Sequence, residues 1–142
     1  MVANTNPIYS RTADIQWITG ITAANTNADL TAGTSYLVFT ADATEGGFVR
    51  EVRIKANPAN NTAATVARLW MNNGATLATA ANSALIAELA IPATTASNTV
   101  AQPDFSIPVN MALPAGYRLY LTLGTAPGGS GAFTAAGIGG KY

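Results

Sequence analysis

The sequence contains no cysteine and no histidine. Without cysteine there is no disulfide framework, no thiolate metal site and no cysteine nucleophile. Without histidine the chain lacks the usual general base, the most common metal ligand and the Ser-His-Asp triad. We therefore expect a protein that is not an enzyme and that needs neither a cofactor nor a metal ion.

Charge is also scarce, since only 10% of the residues are charged, against about 25% in an ordinary domain. Seven basic and seven acidic residues give a net charge of zero, so the basic surface of a nucleic-acid-binding protein is missing. No apolar run is long enough for a membrane helix. Met1–Pro7 lacks a basic region followed by an apolar run, so we expect no secretory signal. The expected partners include neither nucleic acid nor membrane.

Small uncharged residues take the place of the charged ones. The 142 residues include 29 Ala, 19 Thr, 13 Gly and 12 Asn, about half of the chain. A neutral surface built from such residues is poorly protected against association, which indicates a protein that works in an assembly. The length fits one domain, and we assign residues 11–142 to it and residues 1–10 to an extended, proline-bearing N-terminal arm.

Eight short runs with period-2 patterning follow the arm, separated by clusters of Gly, Pro, Asn and Asp. The predicted strands are Asp14–Ile21, Ser35–Asp42, Gly47–Lys55, Thr65–Asn72, Ala84–Ala90, Ala101–Met111, Gly116–Gly124 and Ala132–Gly140. The segment Ala80–Ala90 is ambiguous because Ala, Leu and Glu favour a helix that Asn82 or Ser83 would cap. Its strand-like neighbours favour a strand.

The patterns of three predicted strands indicate which residues face the core and which strand lies at a sheet edge. Leu119, Leu121 and Leu123 share one face of their run, as in a half-buried strand. Pro108 cannot donate to a ladder and predicts an edge strand. In the run Gly47–Lys55 the apolar set Phe48, Val52 and Ile54 is expected to face the core, with Arg50 out of pattern.

Eight regularly spaced strands without helical segments indicate a two-sheet sandwich or a barrel. An immunoglobulin domain would more often have seven strands and the Cys…Trp…Cys spacing. We therefore predict an all-β fold, an eight-stranded antiparallel jelly-roll sandwich.

Candidate chemical sites are weak. Asp42 and Glu45 flank a turn and offer at most a loose cation site, and we favour two solvated carboxylates. Seven acidic residues give no specific support for a glycosidase pair. The glycines at 128, 129 and 131 lack the Lys-Ser/Thr of a phosphate-binding loop.

The strand from Gly47 and the turn before it contain the one concentration of charge: Glu45, Arg50, Glu51, Arg53 and Lys55. This pattern fits either a solvated outer sheet face or a docking surface whose mixed charges select a partner. Trp17 shares parity with Ile15 and Ile21, which predicts a core position. Trp70 is either a core residue or an exposed interface residue beside Arg68.

The strand layout, the Ala/Thr/Asn/Gly bias and the corner Leu113-Pro114-Ala115-Gly116-Tyr117-Arg118-Leu119 resemble a known family. From about residue 11 to its end, the chain is similar to the jelly-roll decoration, or cement, proteins on the heads of tailed bacteriophages. The resemblance implies a structural virion protein on the outer surface of the head, made in the host cytoplasm. Such proteins clamp neighbouring copies of the major capsid protein.

The resemblance also implies self-association, with a trimer favoured and a dimer possible, and an arm, Val2–Ser10, that reaches adjacent subunits. The capsid or subunit interface candidates are Pro7, Ile8, Tyr9, Arg11, Arg50, Glu51, Arg53, Lys55 and Trp70.

Two further hypotheses stay open. One is a trimeric receptor-binding or tail-fibre tip module that binds host glycan through loops such as Asn57–Asn61. The other is a separate jelly-roll lectin, although most aromatic residues here lie in predicted strands.

Overall fold

The computed structural model describes residues 10–142 and contains eight β-strands within them. They are β1 (Thr12–Ile21), β2 (Tyr36–Thr40), β3 (Gly47–Ala56), β4 (Thr65–Asn72), β5 (Ser83–Ile91), β6 (Asp104–Leu113), β7 (Arg118–Leu123) and β8 (Phe133–Lys141). A strand forms at each predicted run. The ambiguous segment begins with a single 3₁₀ turn, Ala80–Asn82, and continues as a strand from Ser83, as preferred.

The strands form two antiparallel four-stranded sheets, which confirms the all-β prediction. The first sheet has the order β1-β8-β3-β6 and the second sheet the order β2-β7-β4-β5. Every connection except β4–β5 passes from one sheet to the other. Pro108 lies in β6, an edge strand, as its missing N–H predicts.

The core lies between the two sheets. Leu119, Leu121 and Leu123 of β7 are fully buried, as predicted. From the first sheet they meet a matching layer, which includes Val49, Val52, Ile54, Ile107 and Phe133. Because alternate side chains of a strand project to opposite faces, the remaining residues of these strands form the two outer faces of the sandwich.

A β-bulge in β3 corrects one predicted core position. The register of β3 with β8 shifts between Val49 and Glu51, so Arg50 is an extra residue on that side, whereas on the other side β6 places two residues opposite Arg50. A bulge reverses the alternation on one side of it. As a result Val49 is fully buried whereas Phe48, the predicted core residue, is only half-buried.

Candidate interaction surface

The outer face of the first sheet arranges apolar and charged side chains in rows across its strands. Residues directly opposite in antiparallel strands project to the same face. One row contains Trp17, Ala136, Arg53 and Ser106, and the next contains Ile15, Ile138, Glu51 and Pro108. We name this surface the amphipathic face and define it by Ile15, Trp17, Ala136, Ile138, Glu51, Arg53, Lys55 and Asp104.

The apolar half of the amphipathic face belongs to β1 and β8. Trp17 is 69% exposed and Ile15 is 55% exposed, while the alternate residues Gln16 and Ile18 are half-buried. Ala136, the cross-strand neighbour of Trp17, is too small to cover the indole ring. Within residues 10–142 the ring therefore stands largely in solvent, and tryptophan is among the residue types that most often dominate binding energy at interfaces.

The charged half lies on β3 and β6. Lys55 Nζ donates to Asp104 Oδ1 at 2.8 Å, and Arg53 Nη2 lies 3.8 Å from the same oxygen. The hydrogen bond from Lys55 is the main reason why the pKa of Asp104 lies below its ordinary value. Two cations thus share one carboxylate. A guanidinium has five N–H donors, so Arg53 keeps donors for an acidic group on a partner.

Glu51 occupies the centre of the charged half. It accepts hydrogen bonds from the Ser106 hydroxyl at 2.7 Å and from Arg50 Nη2 at 2.6 Å. These bonds, the one from Ser106 foremost, lower the pKa of Glu51. Exposed ion pairs contribute little to stability, whereas a fixed pattern of charges sets the orientation of a partner.

Two further predicted interface residues, Arg50 and Arg11, lie outside the amphipathic face. Arg50 is the bulge residue of β3 opposite β8, and its guanidinium forms an ion pair with the adjacent Glu51. Arg11 lies beyond the amphipathic face, where its guanidinium forms an exposed ion pair with Glu45 at 2.9 Å. Pro7, Ile8 and Tyr9 lie outside the described residues.

Trp70 is not a surface residue, so its place among the interface candidates is wrong. Its side chain is only 3% exposed, and its Nε1 donates to Thr122 Oγ1 at 3.0 Å. It projects away from the core between the sheets, and the connection between β1 and β2 lies beside it. That connection is fixed to the second sheet by the Asn25 N–H, which donates to the carbonyl of Leu123.

Trp17 is the residue of the amphipathic face whose position the sequence pattern predicted wrongly. Its shared parity with Ile21 predicted a core position, and Ile21 is indeed fully buried. The register of β1 shifts between Ile18 and Ile21, and Gly20 has a φ of +69° there. The extra residue turns Ile21 inward while Trp17 projects outward. The glycine beside a β-branched run was the only signal of that bulge.

A small cleft of about 230 Å³ lies on the opposite side of the molecule. Its walls are formed by residues 26–28 and by the outer face of the second sheet, with Arg68 and Glu88 paired at 2.7 Å. Leu85, 44% exposed, borders it. Because the ring of Trp70 beneath it is buried, the cleft offers no open aromatic surface.

The loose cation site considered at Asp42 and Glu45 is already engaged. Asp42 Oδ1 accepts the backbone N–H groups of Thr44 and Glu45, and these bonds lower the pKa of Asp42. Glu45 binds Arg11 instead. Across residues 10–142 no three acidic side chains gather in a metal-binding group.

No helix in the described part of the chain has the length and apolar character needed to cross a membrane. Comparison with known proteins gave no match: no family model fits the chain, and neither a curated protein nor a solved structure matches it significantly.

Proposed function

We propose that this protein is a structural component of a tailed-phage virion, bound to the outer surface of the head, where it cements neighbouring copies of the major capsid protein. The observation that carries the proposal is the row that joins the exposed Trp17 to Arg53 across Ala136. Tryptophan and arginine are the residue types most enriched at energetic centres of interfaces. The amphipathic face is the proposed capsid-binding surface.

The strand order supports the finer fold assignment on which the resemblance depends. We propose that the two sheets, β1-β8-β3-β6 and β2-β7-β4-β5, form a jelly roll, an architecture of eight strands common in viral capsid proteins and lectins. Fold alone does not specify function, so the proposal depends on the amphipathic face.

The energetics suit a protein held in place at many sites. Covering a tryptophan removes about 150–250 Å² from water, equivalent to about 4–6 kcal/mol at 25 cal/mol per Å². The loss of translational and rotational freedom offsets much of this gain. An oligomer that engages two or more capsid sites at once strengthens the binding further.

The capsid partner is expected to present an apolar pocket for Trp17 beside a carboxylate for Arg53. Charges of both signs on the amphipathic face exclude partners whose pattern is out of register, because like charges brought together cost several kcal/mol.

Binding to purified capsids that lack this protein tests the proposal. Trp17→Ser and Arg53→Ser should each lower occupancy at least about tenfold, the equivalent of about 1.4 kcal/mol. Leu85→Ser on the second sheet is the matched control and should bind like the wild type. Circular dichroism verifies that all three variants fold. Wild-type occupancy by both Trp17→Ser and Arg53→Ser would overturn the proposal.

The arm is tested by deletion. A variant lacking residues 1–10 should fold normally and bind capsids more weakly if these residues reach adjacent subunits, as the resemblance implies. Undiminished occupancy would remove the arm from the proposal without affecting the amphipathic face.

The alternative is a receptor-binding tip module that binds host glycan. The Asn57–Asn61 loop does not favour it, because Asn57 Oδ1 and Asn61 Oδ1 each accept a backbone N–H of the protein. Immunogold labelling of virions distinguishes the two hypotheses. Gold over the head supports decoration, whereas gold at the tail tip together with binding on a glycan array supports the alternative.

A further inference from the structure

In the described part of the chain, β1, β6, β2 and β5 form the edges of the two sheets, and the last three are protected against pairing. In β6, Pro108 removes a donor and Asn110 has a φ of +47°. In β5, a bulge opposite Leu69 and Trp70 interrupts the ladder. In β2, the side chain of Gln16 occupies the backbone N–H and C=O of Thr40. Proline, bulges and covered backbone groups are the usual means of preventing edge-to-edge association.

β1 has none of these three features over Thr12–Ile18. Its residues Thr12–Ile18 pair with β8 in unbroken register, without proline or bulge. Within residues 10–142 no strand pairs with its outer edge. Asp14 is the one charged residue of this stretch, and it faces inward, where the amide of Gln16 donates to it at 3.1 Å.

We propose that β1 pairs with β1 of a second copy of this chain, antiparallel about a two-fold axis at Ile15, so that the two first sheets form one sheet of eight strands. An exposed edge strand binds another strand through main-chain hydrogen bonds. A strand pairs with itself in the antiparallel sense around a two-fold axis, which makes the same patch serve both copies.

The side chains of β1 favour this occupant and this register. The residues of β1 that face outward around the axis, Ala13, Ile15 and Trp17, are uncharged, so nothing on this face repels a second copy. With the axis at Ile15, the large Trp17 lies opposite the small Ala13 of the second copy, and Asp14 lies opposite its Gln16. The two copies of Arg11 are then about 26 Å apart, at about 3.3 Å per residue.

The dimer also extends the proposed capsid-binding surface, a consequence that rests on the proposed function. Ile15 and Trp17 of both copies form one apolar strip at the centre, and a charged half lies on each side of it. Such a surface engages two equivalent capsid positions at once. A two-fold axis closes at two copies, so this proposal differs from the trimer that the resemblance favoured.

Sedimentation equilibrium of the purified protein without capsids tests the dimer. The wild type should be a dimer, and Ile15→Lys should raise its dissociation constant at least about tenfold because two lysines meet at the axis. Ala84→Lys, an exposed position on the β5 edge, is the control and should remain dimeric. A monomeric wild type would refute the proposal. The proposal would also be refuted if a variant lacking residues 1–9 were a dimer while the wild type were a monomer. In that case the arm would occupy the edge of β1 in its own chain.

A single cysteine tests the register, because the natural chain has none. Opposite residues in antiparallel strands have Cα atoms about 4.5–5.5 Å apart, within the range of a disulfide. Ile15→Cys should therefore form a covalent dimer on mild oxidation, much faster than the control Leu85→Cys. Equal rates would overturn the assignment of β1. A monomer that still binds capsids would refute only the dimer, and a dimer that does not bind them would refute only the capsid proposal.

Discussion

The side chain of Gln16 takes the place of a missing neighbour at the edge of β2 by binding both backbone groups of Thr40. Its Nε2 donates to the carbonyl oxygen of Thr40 at 2.8 Å, and its Oε1 accepts the N–H of Thr40 at 2.8 Å. A carboxamide offers the same donor and acceptor as a peptide group, so this contact continues the β-ladder from one sheet to the other. The inward direction of Gln16 also places its neighbours Ile15 and Trp17 on the outer face.

We predict that Gln16→Met lowers the free energy of unfolding by about 1–3 kcal/mol, because it leaves two backbone groups of Thr40 without their partner. Urea denaturation gives this value directly. Ile15→Met, next to it but exposed, should change stability by less than about 0.5 kcal/mol. If the two variants were equally stable, the contact would contribute nothing to holding the sheets together.

Sequence patterns predicted the strands well and their faces less well. The leucines of β7 alternate without interruption, and all three are buried where parity places them. Where a bulge adds one residue, parity fails beyond it, as Phe48 and Trp17 demonstrate. The predicted exposure of Trp70 was wrong for another reason: a loop distant in sequence lies beside the outer face of its sheet. Such coverage depends on tertiary contacts that no local pattern contains.

The close approach of the sheets beside Gln16 gives a second prediction. Gly137 is the cross-strand neighbour of Gln16, and a Cβ atom there would lie 2.9 Å from the backbone oxygen of Val38 and 3.0 Å from Cβ of Phe39. Gly137→Ala should therefore push β2 away and destabilise the protein by about 1–3 kcal/mol. Gly124→Ala is the control, because its nearest neighbour is the flexible Arg68 side chain at 3.4 Å.

Gly137→Ala and Gln16→Met should also be coupled. Both act on the distance between β1 and β2, so the double variant should lose less stability than the two single losses combined, by about 0.5 kcal/mol or more. Strict additivity in urea denaturation would indicate that Gly137 and Gln16 act independently.

Acidification should weaken the fold. The pKa values of Asp104 and Glu51 are lowered by hydrogen bonds, from Lys55 and from Ser106 respectively, and that of Asp42 by backbone N–H groups. The unfolded chain, with carboxyl pKa values of about 4, then binds more protons than the native state below about pH 5. The contribution of these carboxylates to the free energy of unfolding is fully present above about pH 5. It is lost as the pH falls toward their lowered pKa values in the native state.

Urea midpoints measured at several pH values below neutrality test this dependence. Asp104→Asn removes one lowered carboxyl, so its stability should decline less steeply on acidification than that of the wild type. Identical slopes for the two proteins would show that Asp104 titrates normally in the folded chain.

The contrast between the two tryptophans makes the amphipathic face directly observable. Trp17 is 69% exposed and Trp70 3% exposed, so acrylamide should quench the first and largely spare the second. Trp17→Phe should therefore abolish most of the quenching and leave a blue-shifted emission, whereas Trp70→Phe should retain the quenching. Adding capsids to the Trp70→Phe variant should shield Trp17 and shift its emission to the blue, because burial of an indole removes it from water. If Trp17 is still quenched on fully occupied capsids, the amphipathic face is not the capsid-binding surface.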